Sequence, residues 1–487
     1  MRRAGGVGGE LRHNCLMDIA EALFDQAVRN EAEGDVMAAE LLYRGLLQQQ
    51  PAHHRAALGL GSLLSRTGRA RDALAWLERA AARPSVALYA TLGKLHEQGG
   101  RPEAAVNSYL IATLLQATSL APPDAAHWLQ LGMALHRAGP RHAAAAAFRA
   151  ALLTDPSGAA LYNNLAALCD GAAALALQRR AVQLAPADPA FHTNLAHALL
   201  AAGMFDQGFA EWEWRTPSPP RDFAAPCWRG QDLHGRILLV HAEQGYGDSI
   251  QFSRYVPRLA RLGGKVMVET RAPLAGLLGR LPGVDQVTLW GASLPPFDLQ
   301  IALPSLAARF PWLPARRPYL TADRARKKIW RLHLEAAGVR RYQRKIGLVW
   351  AGNPRSVDPR RALDFTGIAT LAYSDPDSRF YSLQREERIA DTLIVDLGDM
   401  IEDFDDLAAA LCGLDLLISV DTAAAHLAGA LGRPVWVLLH SDADWRWRSD
   451  DRGTSVWYPT ARVYRQARAG DWQDVLQQVA RDLALVK

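Results

Sequence analysis

The chain has 487 residues, of which 49% are hydrophobic and 22% are charged, and its formal net charge at pH 7 is +5. These figures predict a globular protein of about three domains and exclude an intrinsically disordered chain, a collagen-like chain and a small disulfide scaffold. The charge is small for this length, so it gives no indication of nucleic-acid binding.

Cysteine usage and hydropathy indicate the cellular compartment. The cysteines are scattered without a CxxC pair, at Cys15, Cys169, Cys227 and Cys412. This spacing disfavours a zinc or disulfide framework and fits a reducing cytosol. The N-terminus carries two arginines with no apolar segment behind them, and no apolar run approaches the roughly 18 residues of a membrane span. We therefore predict a cytoplasmic protein with no membrane span.

A repeat of about 34 residues extends through residues 20–215, after an N-terminal extension at 1–19. One small residue recurs in each unit, at Ala27, Gly61, Gly93, Gly132, Ala166 and Ala196. A glycine follows seven residues later in five units, at Gly34, Gly68, Gly100, Gly139 and Gly203. The pattern resembles the tetratricopeptide repeat and predicts about six stacked helix pairs.

Stacking is obligatory for such an array because a single helix pair cannot bury its apolar face. Stacked pairs form an inner groove, which favours binding of a peptide or protein partner. The alternative is that the array holds a homodimer together or only spaces two parts of the molecule.

The second half alternates strands and helices. The proline-rich segment TPSPP (216–220) ends the helical region, and buried strands then follow at ILLVHAE, KVMVE, QVTLW and FDLQIA. A second series contains KIGLVWAGN, RFYSLQ, LIVDLG, DLLISV and PVWVLL. We predict two Rossmann-like domains, residues 216–338 and 339–487, with a ligand in the cleft outside the carboxyl ends of the strands.

The segment that joins these two domains is strongly basic. Residues 316–345 contain eleven arginines and lysines against Asp323 and Glu335. This pattern is typical of a solvated helix face that bridges two lobes. The alternative is a surface for an acidic substrate or an anionic lipid.

The loop EQGYGDS after the first strand of this region is the first candidate site. Gly245 and Gly247 allow the backbone to approach a ligand, and the amides at the start of the next helix favour an anion. Asp248 either caps that helix or faces the cleft. His241, at the end of the strand, is an alternative acid–base residue.

The second candidate site is SVDTAAAH (419–426), where a buried strand ends and a helix begins. Asp421 and Thr422 are good N-cap residues, and the alanines allow close approach to a phosphate. His426 lies one turn after Thr422 on the same helix face. Neither an HxxxH pair nor a cysteine cluster accompanies it, so we expect no metal site.

Several motifs in order give a specific resemblance: EQGYGDSIQFSRYVPRLARLGGKVMVE, WAGNP, FYSLQ, SVDTAAAHLAGALGRPVWVLL, DWRW and WYPTARVYRQ. From about residue 20 onward the chain resembles bacterial hybrids of tetratricopeptide repeats with a glycosyltransferase similar to the heptosyltransferases (glycosyltransferase family 9). The resemblance implies a GT-B fold, inversion at the anomeric carbon and no metal or other cofactor. The nucleotide sugar is then a substrate, held mainly by the C-terminal lobe.

The resemblance also implies roles for individual residues. Asp248 matches the proposed catalytic base, with Gly247 before it. Asp421, Thr422 and His426 match the positions at the donor diphosphate and sugar. The remaining donor-side positions are Asn353, either Arg360 or Arg361 at the phosphate, and Gln384 at the nucleotide.

A cluster of aromatic residues follows near the C-terminus, with Trp445, Trp447, Trp457 and Tyr458. It either packs in the core or stacks a nucleobase or sugar, and Trp445 is then the best candidate for the ligand contact.

Together these features predict a glycosyltransferase that transfers a sugar to a Ser or Thr hydroxyl of a protein, such as a flagellin, recruited by the repeat array. The first alternative is transfer to a lipopolysaccharide or glycolipid acceptor, and the second is a non-catalytic scaffold.

Overall fold

The computed structural model describes residues 7–80, 84–118, 123–217, 221–310, 317–336, 343–352, 358–385, 387 and 389–485. Side chains are described from residue 19 onward, apart from those of residues 118 and 359. The chain divides into two compact units, Met1–Phe191 and His192–Lys487.

The first unit is a TPR-like array of antiparallel helix pairs. In the described residues its helices are α1 (Val7–Ala32), α2 (Val36–Gln49), α3 (His54–Arg66), α4 (Ala70–Ala80), α5 (Val86–Gln98), α6 (Pro102–Thr118), α7 (Ala125–Ala138), α8 (Arg141–Thr154), α9 (Ala159–Ala166) and α10 (Gly171–Leu184). Helix α1 starts at Val7, inside the segment predicted as an extension.

The predicted turn glycines have the backbone conformation that the repeat requires. Gly34, Gly68, Gly100, Gly139 and Gly203 all have φ between 67° and 108°. A residue with a Cβ is strained in this left-handed region, so glycine permits the tight turn between the two helices of a pair.

The predicted small residues lie where two helices approach closely. A Cβ on Gly61 would be 2.5 Å from Leu77, a Cβ on Gly93 would be 2.5 Å from Tyr109, and one on Gly132 would be 2.5 Å from Phe148. At these three positions the repeated small residue lies at a close contact between the two helices of a pair.

The second unit begins with one further helix pair, α11 (Pro189–Ala201) and α12 (Phe205–Trp212), of which α11 starts just before the boundary. The large side chains of this pair, Leu200, Phe209 and Trp212, are buried in the main core of the second unit. The predicted array extends to residue 215, so its last pair is part of the second compact unit.

The first sheet has four parallel strands in the order β3-β2-β1-β4. Its strands are β1 (Ile237–His241), β2 (Lys265–Thr270), β3 (Gln286–Leu289) and β4 (Leu299–Ala302). Its helices are α13 (Tyr246–Phe252), α14 (Val256–Leu259), α15 (Ala275–Gly279) and α16 (Leu306–Arg309). Between β1 and β2, short α-helical and 3₁₀ segments alternate.

The second sheet has six parallel strands in the order β10-β9-β8-β5-β6-β7. Its strands are β5 (Arg344–Val349), β6 (Ser378–Ser382), β7 (Ile394–Asp396), β8 (Leu416–Val420), β9 (Val435–Leu439) and β10 (Ala461–Arg465). The accompanying helices are α17 (Arg324–Ala336), α18 (Phe365–Ser374), α19 (Phe404–Gly413), α20 (Ala423–Ala430) and α21 (Trp472–Leu485). Strand β10 and helices α18 and α21 were not predicted from the sequence.

The second unit is therefore an α/β region with two parallel sheets. One continuous apolar core runs from α11 to β10 and includes side chains from both sheets, and a second cluster fills the other face of the six-stranded sheet. Among the helices that are described, none combines the length and apolar character needed to cross a membrane.

Candidate functional site

The turn after β1 holds the first candidate site in an unusual backbone conformation. Gln244 has φ of 64°, and its carbonyl accepts a hydrogen bond of 2.7 Å from Arg271 Nη1. Gly245 is the N-cap of α13, and its amide donates to Asp248 Oδ2 at 3.1 Å. Positive φ at a non-glycine residue costs of order 1 kcal/mol or more, and such strain clusters at functional sites.

Asp248 therefore does cap the helix, but its second oxygen reaches across to the other sheet. Arg446 Nη2 lies 2.7 Å from Asp248 Oδ1, and Arg446 Nε lies 2.9 Å from the same oxygen. Arg446 follows β9 in the short 3₁₀ segment Trp445–Trp447 and also pairs with Asp444 at 2.9 Å. The carboxylate of the first sheet and the arginine of the second thus form one charged cluster.

The charges of this cluster compensate one another in a mostly buried position. The side chains of Asp248 and Arg446 are 16% and 15% exposed. Burial lowers the pKa of Arg446, but the carboxylates of Asp248 and Asp444 outweigh this effect and raise its pKa above the ordinary value. The arginine consequently stays protonated.

Asp421 and Thr422 lie where β8 ends and α20 begins, as predicted. Thr422 is the N-cap, and its hydroxyl lies 2.8 Å from that of Ser419. Asp421 Oδ1 accepts from Trp447 Nε1 at 2.6 Å, and its Oδ2 lies 3.0 Å from Arg361 Nη1. Burial raises the pKa of Asp421, while the nearby Arg361 acts in the opposite direction.

His426, on the first turns of α20, has internal contacts in this structure. It is 3% exposed, its Nδ1 lies 2.9 Å from the Tyr458 hydroxyl, and its ring lies 4.5 Å from that of Trp447. Burial, together with the nearby charges of Arg446 and Arg254, lowers its pKa to about 3. The ring is therefore neutral at physiological pH and adds no positive charge to the site.

Gly247 and His426 join the two predicted motifs. A Cβ on Gly247 would lie 2.9 Å from His426 Cδ2, so glycine permits α13 to approach α20. Asp248 follows Gly247 and Asp421 precedes α20. The structure thus brings the carboxylate of the first motif and the helix start of the second to the same contact.

The remaining predicted residues differ in their positions. Gln384 is buried, and its Oε1 accepts from the backbone amides of Trp350 and Ala351 at 3.2 and 3.0 Å. Arg360 is 61% exposed and pairs with Asp358 at 2.9 Å. Asn353 lies outside the described residues.

Arg361 is the arginine that contacts the second motif. Its side chain is 37% exposed and lies against Asp421, whereas Arg360 points to Asp358 and Asp442. Of the two arginines that the sequence left open, Arg361 is the one beside Asp421 at the start of α20.

Trp445 has the contacts of a core residue. It is 4% exposed, and its ring lies 5.7 Å from that of Phe209 and 5.8 Å from that of Trp457. On its other side the guanidinium of Arg446 lies 4.4 Å from the ring centre. Of the two roles that the sequence left open, the structure gives Trp445 the packing role, with no ring face open to a ligand.

Arg446 is a site residue that the sequence did not predict. Its only local signal is an arginine between two tryptophans in the motif DWRW, a few residues after a buried strand. The partner of this arginine is 198 residues away, so spacing along the chain does not reveal the pair.

In the portion of the chain that the structure describes, no group of three His, Cys, Asp or Glu side chains could hold a metal ion.

Comparison with known proteins gives a distant relative and fragmentary structural matches. No protein-family model matches the chain. "Protein FlbA" of Caulobacter vibrioides is 27% identical to this chain, and the matched region covers 80% of this chain and 77% of that protein.

The solved structures include the TPR protein YrrB, described as having an unusual peptide-binding site, with a TM-score of 0.34, 20% identity and coverage of 40% of this chain and 98% of YrrB. A MamA structure has a TM-score of 0.31, 19% identity and coverage of 34% and 91%. Pseudomonas aeruginosa PilF has a TM-score of 0.34, 13% identity and coverage of 40% and 90%.

Proposed function

We propose that the chain is an inverting, metal-independent glycosyltransferase of the GT-B type that moves a sugar from a nucleotide-sugar donor to a protein hydroxyl. The observation that carries this proposal is the contact between α13 and α20, which brings Asp248 from one parallel sheet beside Arg446 and the start of α20 from the other. A carboxylate opposite positive charge is the arrangement that inverting transfer needs.

Each group of this cluster has a chemical task in the proposed reaction. Asp248 accepts the proton of the incoming hydroxyl while that oxygen attacks the anomeric carbon. The bond from that carbon to the diphosphate breaks, and the departing oxygen becomes negatively charged. Arg361 and the backbone amides at the start of α20 stabilise this charge. Arg446 holds the Asp248 side chain in position until the acceptor displaces part of their contact.

The repeat array supports a protein acceptor. A groove of about 770 Å³ lies over the first helices, and its lining includes Phe24, Tyr43 and the partly exposed Val28. Apolar side chains in an open groove fit a peptide segment. A flagellin-like acceptor with a Ser or Thr hydroxyl is the substrate that the resemblance to the hybrid proteins implies.

A glycolipid or lipopolysaccharide acceptor is the first alternative, and the surface of α17 favours it. Ile329 and Leu332 are 52% and 65% exposed on this helix, beside the cations Lys328 and Arg331. Apolar side chains flanked by cations fit an anionic lipid surface.

A non-catalytic scaffold is the second alternative. Both oxygens of Asp248 are occupied, one by Arg446 and one by the Gly245 amide. If the pair never opens, the carboxylate cannot accept a proton, and the array alone would carry the function.

Transfer by the Asp248→Asn variant tests the proposal. Full-length protein is incubated with a flagellin and a panel of ADP-, UDP-, GDP- and CMP-sugars, and intact mass reports sugar addition. Loss of the base is expected to reduce the transfer rate about 100-fold or more. The matched control is Asp232→Asn, since the Asp232 side chain is 74% exposed in the same lobe. Equal transfer by Asp248→Asn and wild type would reject Asp248 as the base.

Calorimetry with the same nucleotide sugars separates the alternatives. Binding of one donor without transfer to flagellin, followed by transfer to a glycolipid extract, would replace the protein acceptor by a lipid one. If no donor gives a heat of binding, the non-catalytic scaffold is the alternative that remains.

A further inference from the structure

A pocket of about 850 Å³ opens on the other side of the turn after β1. Its lining comes from the carboxyl ends of β1 and β4, from the loop that precedes β1, from the residue after β3 and from the chain that follows α12. The volume is in the range of small-molecule sites. None of its lining residues belongs to the Asp248 cluster, and we call it the His241 pocket.

Positive charge predominates in the lining. Arg215 binds both oxygens of Glu243 at 2.8 Å, and Arg309 lies 2.7 Å from Glu213. Arg229 also lines the pocket, is exposed, and forms no ion pair with a carboxylate of the described residues. One cation is thus left uncompensated, which favours an anionic ligand.

Two further nitrogen atoms of the lining lack partners. Arg309 Nε is buried and unbonded within the described chain, and so is Nδ1 of His241, a residue that is only 8% exposed. His241 Nε2 lies 3.0 Å from Gln300 Oε1. A neutral ring that donates from Nε2 to this oxygen keeps a lone pair on Nδ1, which accepts from a hydroxyl. Unpaired buried polar atoms are costly, so a ligand that pairs with them gains affinity.

Aromatic rings complete the wall. Arg221 is fixed by Glu269, and its guanidinium lies 4.6 Å from the ring of Phe223 and 5.0 Å from that of Trp290. Phe223 also packs against His241 at 4.8 Å. Cations already lie over these rings, so the aromatic side chains shape the wall, and the cations and the hydroxyl acceptor of the lining match a sugar that bears an anionic group.

We propose that the His241 pocket binds a carbohydrate unit that carries a carboxylate or a phosphate. Arg229 and Arg309 Nε donate to the anionic group, His241 Nδ1 accepts from a ring hydroxyl, and Phe223 and Trp290 form the wall beside the sugar. This binding does not require glycosyl transfer by the Asp248 cluster, so each proposal can be tested independently of the other.

Cys227 lines the same pocket and provides a reporter. The full-length protein is treated with N-ethylmaleimide, and peptide mass spectrometry follows alkylation of Cys227, with Cys169 and Cys412 as internal controls. The four probes are glucose, glucuronic acid, glucose 6-phosphate and inorganic phosphate. Calorimetry with the same probes measures affinity independently of thiol reactivity.

Glucuronic acid, glucose 6-phosphate or both are expected to slow Cys227 alkylation at least tenfold at saturation, without an effect on Cys169. The stronger of the two identifies the anionic group. Glucose and inorganic phosphate should change the rate less than twofold. The proposal is overturned if glucose or phosphate alone protects as well as the anionic sugars, or if neither anionic sugar binds by either method.

Variants test the residues of the pocket. Arg229→Ala is expected to raise the half-protecting concentration about tenfold, since it removes an exposed cation that forms no ion pair with a carboxylate of the described residues. Arg236→Ala is the matched control, because Arg236 is an exposed arginine of the same lobe outside the pocket. Each variant is compared with and without the probe, because Arg229 itself influences the thiol. Unchanged protection in Arg229→Ala would overturn the assignment, whereas Asp248→Asn should leave protection intact.

Discussion

The repeat array and the region from His192 onward are stabilised in different ways. In the array, buried side chains form separate clusters, each shared by neighbouring helices. From His192 onward, one cluster includes side chains of α11, α12 and both sheets. Contacts limited to neighbours confine the effect of a substitution to its own repeat, while a shared core transmits it through the whole unit.

Truncation gives the largest expected effect on stability. It tests where the array with separate clusters ends and the region with the shared core begins. We expect residues 188–487 to fold, because α11 and α12 then remain in the shared core. Residues 216–487 should not fold, since Phe205, Phe209 and Trp212 are lost. Large-to-small changes of such residues cost about 3 to 5 kcal/mol each, and their sum approaches the roughly 5 to 15 kcal/mol of a whole protein.

Circular dichroism melts and soluble yield of the two fragments provide the measurement. A cooperative transition for 188–487 and none for 216–487 is the expected result. If both fragments melt alike, α11 and α12 do not stabilise the sheets. The proposed difference between the array and the region from His192 onward is then wrong.

Arg446→Met is the next largest perturbation. It leaves Asp248 and Asp444 without their partner, and removal of one member of a largely buried ion pair costs about 3 to 5 kcal/mol. Because these side chains are 15 to 18% exposed, we expect about 2 to 3 kcal/mol of lost unfolding free energy. Urea unfolding followed by tryptophan fluorescence measures this loss. Arg452→Met, at an exposed position, should change the unfolding free energy by less than 0.5 kcal/mol.

The Gly132→Ala variant tests whether the effect of a substitution in the array stays within its own repeat. The new methyl group would meet Phe148 at 2.5 Å, and overpacking of this kind costs about 1 to 3 kcal/mol. Alanine recovers up to about 1 kcal/mol of helix propensity, so we expect a net loss of about 1 to 2 kcal/mol.

Gly45→Ala is its control, because Gly45 is also helical but has nothing within 4 Å of a Cβ. It should stabilise the array by about 0.5 to 1 kcal/mol. Hydrogen exchange should show both effects confined to helices near the substitution. An even loss of amide protection across all repeats would contradict the expectation that such effects stay local.

The features that were predictable from the sequence are those set by residues close together in the chain. The turn glycines, such as Gly139, need only a local left-handed conformation, and strands such as β8 need only a continuous apolar run. The ion pair between Asp248 and Arg446 joins residues that no local pattern relates. Similarly, α11 and α12 keep the repeat period, but the period does not say whether Phe209 packs against another repeat or against a sheet.

The pH dependence of stability examines the shared core at His426. Burial holds the pKa of this ring at about 3 in the folded state, whereas an unfolded histidine has a pKa of about 6.5. Between these values the unfolded chain binds a proton that the folded chain does not. Stability therefore falls as the pH drops from about 6.5 towards 3, by at most about 1.4 kcal/mol per pH unit.

His426→Asn removes this titration while an amide oxygen can still accept from the Tyr458 hydroxyl, so the unfolding free energy should depend less steeply on pH. Urea unfolding at pH 6.5, 5.5 and 4.5 measures the slope, and other buried histidines cancel in the difference from wild type. His234→Asn, at a side chain that is 77% exposed, should keep the wild-type slope. An unchanged slope in His426→Asn would mean that the ring is protonated in the folded state, and the close packing of α13 on α20 would then have to open as the pH falls.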